Sequence, residues 1–536
     1  MKQDFLWWRD GVVYQIYPRS FMDSNGDGIG DLTGITQKLD YLKNLGVDAL
    51  WLSPIYPTPD VDFGYDVADY EEIDPKFGSM ADFEQLLAAS HQRGIRVMLD
   101  LVLNHTSDQH AWFQESRKAK DNPYRDWYLW QDAKGGGGLP NNWQSRFGGS
   151  GWQWDQATQQ YYFHMFYKEQ PDLNWRNPKV RQAILDMMNF WLAKGVDGFR
   201  LDVFNAFFKS PGLENNPGKL GLAGFDRQQH IYDIDQPEMI NLLAEMRELL
   251  DSYPERYAVG ETFMGTPERA AIYSGSQALH ATFDFSFLHN RYSAGAFNRS
   301  IHQWENLLSE RAWPNYVLNN HDVPRSATRY TRNEADERLK VLAGMMLTLR
   351  GTPYLYYGEE IGMRDITLKN RAMVQDPVGK HYWPFYKGRD GCRSPMQWQP
   401  DTNGGFTSGT PWLPQHANVL TRNVAAQETQ QDALLPLYRS LLRVRKNSSA
   451  LQGGFYQPLT FDPRRMLAYL RQDSEQTVLV ALNFSRRKVK LFLSTSLART
   501  DWQFLYSTHR SECPKIHQRA IQLEPFEVLL LSDSNA

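Results

Sequence analysis

The sequence predicts an α/β chain built on a (β/α)8 barrel of the TIM type, with a small domain inserted after the third strand and a C-terminal antiparallel β-sandwich domain. Three observations lead there. Apolar strand-like runs alternate with helix-like runs at the spacing of a parallel sheet. From Asn104 to about Asp172 that alternation stops, in a stretch rich in Trp, Tyr, Gly, Asn and Gln. Beyond about Leu451 the texture changes to short alternating strands.

In order, Gly11 to Pro18 reads as a buried strand, Leu32 to Leu45 as a helix, Val47 to Leu52 as a strand, Met80 to Arg93 as a helix and Ile95 to Leu103 as a strand. The inserted stretch includes four glycines, Gly135 to Gly138, and is too long for an ordinary loop. Pro178 to Lys194 then reads as a helix opened by its proline, leading into the strand Gly198 to Val203. Further strands are expected at Tyr257 to Gly260, Thr282 to Phe285, Tyr316 to Leu318 and Pro353 to Tyr357. Helices are expected at Glu238 to Leu250, Glu337 to Leu349 and Ala433 to Val444. Eight strand signals separated by helices fit a closed barrel, with a doubly wound sheet as the competing topology. Strands at Leu467 to Leu470, Thr477 to Leu482 and Val489 to Leu493 belong to the last domain. The expected division is 1–103 with 173–450 for the barrel, 104–172 for the insert and 451–536 for the C-terminal domain.

Composition narrows the function. The chain has 536 residues, enough for one large domain and one or two small ones. A net charge of -4 argues against binding nucleic acid, which needs a basic face to neutralise phosphates. Aromatic residues make up 13%, a supply of flat rings suited to stacking on sugars. With only two cysteines, Cys392 and Cys513, neither a disulfide framework nor a thiolate metal site can be read. The N-terminal residues lack the apolar core of a signal peptide, and no stretch is apolar enough to span a bilayer, so a soluble cytoplasmic protein is expected.

Chemistry concentrates where strands end. In Gly198-Phe199-Arg200-Leu201-Asp202-Val203 the alternation of a strand turns Arg200 and Asp202 to the same side, and a buried strand tolerates such charges only near its end. Asp100, Asn104 and His105 close the third strand, Glu261 the fifth, and His321 and Asp322 the seventh. One such group is usually a structural ion pair; three acids on different strands, with no Cys or Lys beside them, are equipment for acid/base and carboxylate-nucleophile chemistry. Glycoside hydrolysis asks for this set: one carboxylate ionised, another protonated. Arg200 is expected to lower the Asp202 pKa by roughly one to three units, and Glu261, with no cation near it in sequence, to serve as the acid.

Four strings, Asp100-Leu101-Val102-Leu103-Asn104-His105, Gly198-Phe199-Arg200-Leu201-Asp202, Gly260-Glu261-Thr262 and Asn320-His321-Asp322, resemble in content and order the signature regions of the α-amylase superfamily, glycoside hydrolase family 13. Gln170-Pro171-Asp172-Leu173-Asn174 resembles a fifth, typical of the oligo-1,6-glucosidase and α-glucosidase branch, and the segments Gly11 to Pro18 and Gly351 to Glu360 resemble two more. The resemblance covers nearly the whole chain. It implies Asp202 as nucleophile, Glu261 as general acid/base and Asp322 as the third acid, in a retaining mechanism. It implies Arg200, His105 and His321 as ligands of the first glucose. Asp62 and Tyr65, in Asp62-Phe63-Gly64-Tyr65-Asp66, resemble the residues that hold and stack the non-reducing end. Arg389 resembles the arginine that pairs with Asp62 and closes the pocket, which implies exo action; Arg393 is a weaker candidate, and Phe166 either lines the pocket or packs the insert.

The loop Asp23 to Asp31 places oxygen side chains at alternate positions with glycines between, as an EF-hand loop does, although Gly34 stands where that loop would have its bidentate Glu. The same loop in related α-glucosidases holds Ca2+ or Mg2+, so one structural ion is expected at Asp23, Asn25, Asp27, Ile29 and Asp31, and no organic cofactor. Val203, after the nucleophile, resembles α-1,6-acting members, where Ala or Thr resembles α-1,4-selective ones. The expected activity is an exo-acting, retaining α-glucosidase on short oligosaccharides, α-1,6 first and α-1,4 second, with transglycosylation open. The expected partner is a small oligosaccharide, with no nucleic acid or membrane, and the expected state a monomer or weak homodimer. A sucrose isomerase or trehalose synthase would share the catalytic residues, but the Arg-Leu-Asp-Arg-Asp string of sucrose isomerases is missing. A silent sugar-binding ancillary protein would need the acids replaced, and they are present.

Overall fold

The computed structural model describes residues 5–222, 224–283, 285–308, 312–331, 335–459 and 461–533. Eight parallel strands form the central sheet: β1 (Val13–Ile16), β2 (Ala49–Leu52), β3 (Arg96–Leu101), β4 (Gly198–Leu201), β5 (Tyr257–Gly260), β6 (Ala281–Thr282), β7 (Asn315–Val317) and β8 (Thr352–Tyr356). Their order runs β7, β8, β1, β2, β3, β4, β5, β6. Among the described residues no ladder joins β6 to β7, so the barrel is nearly closed. Strands β1, β2, β4 and β5 are buried throughout, as a parallel strand flanked by neighbours and covered by helices must be.

Local sequence explains the punctuation. Ser79 and Asp82 form a capping box that opens the helix Met80–Gln92. Asn177 caps the helix Pro178–Ala193, and Pro178 sets its first turn. Two expectations need correction. The helix read over Leu32 to Leu45 breaks into Leu32–Gln37 and Leu39–Leu45 at Lys38, whose ammonium sits 4.4 Å over the ring of Trp398. The sixth strand ends at Thr282; Phe285–Leu288 is a helical turn that presents Phe287 to Phe297 and Tyr316, and residue 284 lies outside the described residues. A strand would have put Phe283, Phe285 and Phe287 on one face, whereas the turn separates Phe287 from the stacked Phe283–Phe285 pair and packs it into the main core.

The segment between β3 and β4 carries a three-stranded antiparallel sheet, Trp130–Gln131, Trp152–Asp155 and Gln160–Phe163. Trp143, Trp152, Phe163 and Phe166 share one apolar cluster with Val203, Ala206 and Phe225 from the connection after β4, so insert and barrel mouth have a common core. Lys209, 2% exposed, pins the seam: Nζ lies 2.5 Å from Asp172 Oδ2 and donates to Asn104 Oδ1 at 2.9 Å.

C-terminally, five antiparallel strands (Phe455–Pro458, Met466–Gln472, Thr477–Asn483, Val528–Asp533 and Trp502–Ser507) form one sheet, and Val489–Phe492 pairs with Ala520–Leu523. One continuous core links this unit to the barrel, with Tyr469, Val480 and Leu530 packed among barrel helices. The approach is close at Gly344, where a Cβ would meet Val528 methyls at 2.8 Å. Two buried arginines finish the seam. Arg445 donates to the carbonyls of Leu347, Leu349 and Gly351, and Arg471 to those of Thr348, Gln452 and Gly454. Together they satisfy the carbonyl end of the helix Glu337–Thr348, where a positive charge is favoured by the helix dipole.

Candidate active site

The acids occupy the C-terminal rim of the barrel because backbone pairing runs one residue past the strands: Asp202 N–H donates to Leu101 C=O and Glu261 N–H to Leu201 C=O, both at 2.9 Å. The β3–β4 register sets Arg200 opposite Asp100, and the β4–β5 register sets it opposite Val259, two residues before Glu261. Arg200 Nη1 donates to Asp100 Oδ1 and to Asp202 Oδ1, each at 2.7 Å, and its guanidinium also meets Glu261. Two expectations are corrected here. Glu261 is not free of cations, because the cation comes from the next strand. Asp202 is not held below the usual carboxylate range: burial, with Arg200 opposing it and the charges of Asp100 and Asp322 adding to it, raises its pKa to about 7.

Asp322 goes the other way. Desolvation works against its ionisation, but the guanidiniums of Arg389, Arg393 and Arg200 outweigh it, with His321 Nε2 facing it at 3.3 Å, and hold the carboxyl well below the usual range. Arg393, completely buried, donates Nη2 to Asp322 Oδ1 at 3.0 Å and Nε to the His321 carbonyl at 2.8 Å. His321 is kept neutral by burial, its pKa pulled down to about 3, and takes a 2.8 Å contact from Gln15 Nε2 at Nδ1, which leaves Nε2 to face Asp322. His105, also pushed down by burial, contacts the Tyr65 carbonyl through Nε2 at 2.9 Å.

A cavity of about 610 Å³ opens over these groups. Asp62, Tyr65, His105, Phe166, Asp202, Glu261, Asp322 and Arg389 all line it. Arg200 and His321, each 1% exposed, sit behind its wall and hold the carboxylates from beneath. Tyr65 stacks on His321 at 5.2 Å and donates its hydroxyl to Asp100 Oδ2 at 3.0 Å. The turn presenting Asp62 is closed by Asp66, whose carboxylate accepts from Val61 and Asp62 N–H, and needs the positive φ of Gly64. Arg389 Nη2 donates to Asp62 Oδ1 at 2.6 Å, which closes one side of the cavity.

The supporting roles of three residues escaped sequence reasoning. Asp376 caps the helix Pro377–Tyr382 and accepts from Arg389 N, Nε and Nη2; an Asp-Pro pair marks the cap, but nothing marks the grip on Arg389. Gln170 Nε2 donates to Asp62 Oδ2 at 3.3 Å and to the Tyr65 carbonyl at 2.9 Å. Asp100, legible as a strand-end acid, proves to share Arg200 with Asp202. Val203 adopts φ 36°, ψ 37°, a left-handed conformation that costs a β-branched residue on the order of 1–3 kcal/mol. Its side chain lines the cavity just beyond Asp202.

In the loop 23–31, Asp23 accepts N–H from Asn25, Gly26 and Gly28, and Asp31 accepts from Ser24 and caps Leu32–Gln37 through Gly34 N–H. Asn25 and Asp27 are exposed, each accepting one loop N–H, and Ile29 can offer only its backbone oxygen. This all-oxygen donor set is of the chemistry a hard cation takes. Among the described residues no three His, Cys, Asp or Glu side chains converge on a metal position.

Residues 15–454 match the family described as alpha amylase, catalytic domain, and residues 456–530 the maltogenic amylase C-terminal domain. The chain is 40% identical to an oligo-1,6-glucosidase of Parageobacillus thermoglucosidasius, over 97% of this chain and 98% of that one. In structure it is similar to an alpha-glucosyl transfer enzyme, XgtA (TM-score 0.93, 40% identity, 99% and 100% covered). It is also similar to the trehalulose synthase MutB of Pseudomonas mesoacidophila MX-45 (TM-score 0.89, 33% identity, 99% and 100% covered).

Proposed function

Because this chain belongs to the α-amylase family, glycoside hydrolase family 13, we propose that it is an exo-acting, retaining α-glucosidase that removes the terminal non-reducing glucose from short oligosaccharides, α-1,6-linked first and α-1,4-linked second. The observation that carries this reading is the convergence of Asp202, Glu261 and Asp322 on a cavity closed on one side by the Asp62–Arg389 pair. A pocket closed beyond the first sugar favours attack at a chain end.

Asp202 attacks the anomeric carbon while Glu261 gives a proton to the leaving glycosidic oxygen. Asp322, held ionised by its arginines, accepts from sugar hydroxyls. In the second half Glu261 takes a proton from water, which displaces Asp202 and restores the starting anomer. Val203 narrows the space where the leaving sugar departs, which supports a preference for the more flexible 1,6 linkage.

The same proposal includes one structural Ca2+ or Mg2+ at Asp23, Asn25, Asp27, Ile29 and Asp31, and a cytoplasmic monomer or weak homodimer. The unpaired Cys392 and Cys513 support a reducing compartment, and no helix among the described residues is long and apolar enough to cross a membrane. The likeness to a trehalulose synthase keeps sucrose isomerisation as the second reading. Purified protein incubated with isomaltose, maltose, sucrose and trehalose decides. Release of glucose as the α-anomer is expected; a β-anomer as first product, or no glucose from any of them, overturns the proposal. Conversion of sucrose to an isomer without comparable glucose release selects the second reading.

A further inference from the structure

Resting on the glucosidase reading, we propose that Glu359, which lies outside the cavity lining, is a positioning residue for the third acid: acting through the side-chain amide of Asn319, it fixes the loop that carries His321 and Asp322. That loop leaves β7 and ends at the short helix Ser326–Tyr330. Within it Asn320 Oδ1 accepts from Asp322 N at 2.9 Å and from Val323 N at 3.1 Å, which shapes the turn without anchoring its base. The base is closed by Asn319, 3% exposed. Its Oδ1 accepts the N–H of Ser326, and its Nδ2 donates to Ser326 Oγ at 3.1 Å and to Glu359 Oε2 at 2.5 Å.

The backbone after β8 delivers the carboxylate to this point. Gly358 takes φ 78°, a left-handed step that favours glycine, and the chain turns so that Glu359 is buried against Asn319. Glu359 Oε2 also faces Tyr356 N at 3.4 Å, and Oε1 accepts the Tyr438 hydroxyl at 3.1 Å from the helix Leu434–Lys446. A buried carboxylate that accepts from three neutral donors is costly, and a packing role alone would be met at lower cost by Leu or Met.

An amide has two unlike ends, and at Asn319 both are committed. The N–H of Ser326 requires its oxygen, and the Glu359 carboxylate requires its NH2 group. Without the carboxylate the amide is free to reverse, the first N–H of the helix loses its acceptor, and residues 320–323 shift against Arg393, which grips Asp322 from the other side. Hydrogen bonds to sugar hydroxyls strengthen in the transition state, so a displaced Asp322 lowers turnover more than it weakens binding of the intact sugar.

The experiment exchanges the two groups in the full chain. Asn319→Asp keeps an acceptor for Ser326 but sets a second carboxylate against Glu359. Glu359→Gln still accepts from Asn319 through its amide oxygen, while its NH2 group donates to the Tyr438 hydroxyl. The double variant restores one donor and one acceptor with the roles reversed. Kinetics on isomaltose and maltose are measured well below each melting temperature. We expect kcat to fall at least about tenfold in Asn319→Asp and in Glu359→Leu, with KM within about threefold, and Glu359→Gln to stay within about threefold of the unaltered chain. Adding Glu359→Gln to Asn319→Asp should recover at least about fivefold. A folded Glu359→Leu with unchanged kcat, or an Asn319→Asp deficit that the exchange does not repair, overturns the inference and leaves the glucosidase reading standing. If Asn319→Asp does not fold, Glu359→Leu against Glu359→Gln decides. No turnover of isomaltose, maltose, sucrose or trehalose by the unaltered chain overturns both.

Discussion

Asp100 and Arg200 face each other across neighbouring barrel strands, joined by a 2.7 Å hydrogen bond, and the same Arg200 nitrogen reaches Asp202 at 2.7 Å. One cation is thus divided between two carboxylates that repel each other, and the titration of the site belongs to the group rather than to any one residue.

The first consequence concerns Asp202→Asn. A carboxyl whose pKa is raised from 3.8 to about 7 destabilises the fold progressively as pH rises between those values, because the unfolded chain gives up the proton more readily. The amide removes that cost. Turnover should fall at least about a thousandfold, while the melting temperature at pH 8 stays equal to or above that of the unaltered chain. Retained turnover removes the nucleophile from the proposal.

The pH profile follows from the same value. The nucleophile must be ionised in the free enzyme, so kcat/KM should decline below an apparent pKa of about 7. Asp100→Asn removes a charge that pushes this pKa up, so the acid limb should move to lower pH even though the rate itself drops. An acid limb unmoved by the substitution means that Asp100 does not act on Asp202.

Linkage preference should answer to Val203. Shortening it to Ala removes the β-branch from the cavity wall, and a change of that size shifts selectivity by about tenfold, here toward maltose over isomaltose. The ratio of kcat/KM values on the two disaccharides reads it directly.

Lys209→Met should leave Asp172 buried without its cation, a loss of about 3–5 kcal/mol. The drop in urea midpoint should exceed any change in the rate of the enzyme that remains folded.

The loop 23–31 predicts a stability response without a catalytic one. Millimolar Ca2+ or Mg2+ should raise the melting temperature, a chelator should reverse it, and Asp27→Ala should abolish both effects. No response to either ion discards the metal proposal.

Strand ends made much of this legible beforehand. Asp202 and Glu261 each close an apolar run, and Asp322 ends the polar string Asn319-Asn320-His321-Asp322 that follows another; such runs show their polar terminus in sequence. What stayed hidden is whatever depends on register or on long connections. Arg200 carries a local signal that it attends Asp202, but only the pairing of β3, β4 and β5 reveals that it also holds Asp100 and meets Glu261. Tyr382 and Tyr386 reach the pocket from the end of the short helix Pro377–Tyr382 and the loop after it, far along the chain, where no periodicity announces which side chains face inward. The left-handed turn at Val203 is equally silent, since sequence statistics argue against a β-branched residue there.

Arg445 and Arg471 give the C-terminal unit a place in the order of events during synthesis. The helix Glu337–Thr348 emerges long before residue 471, and until that arginine arrives the carbonyl of Thr348 lacks the cation that satisfies it. A nascent chain that ends near residue 450 therefore holds every acid of the site on a scaffold whose last seam is still open. Maturation of the enzyme is expected to wait for the β-strands that follow, and a shortened chain to be a substrate for proteases before it is a catalyst.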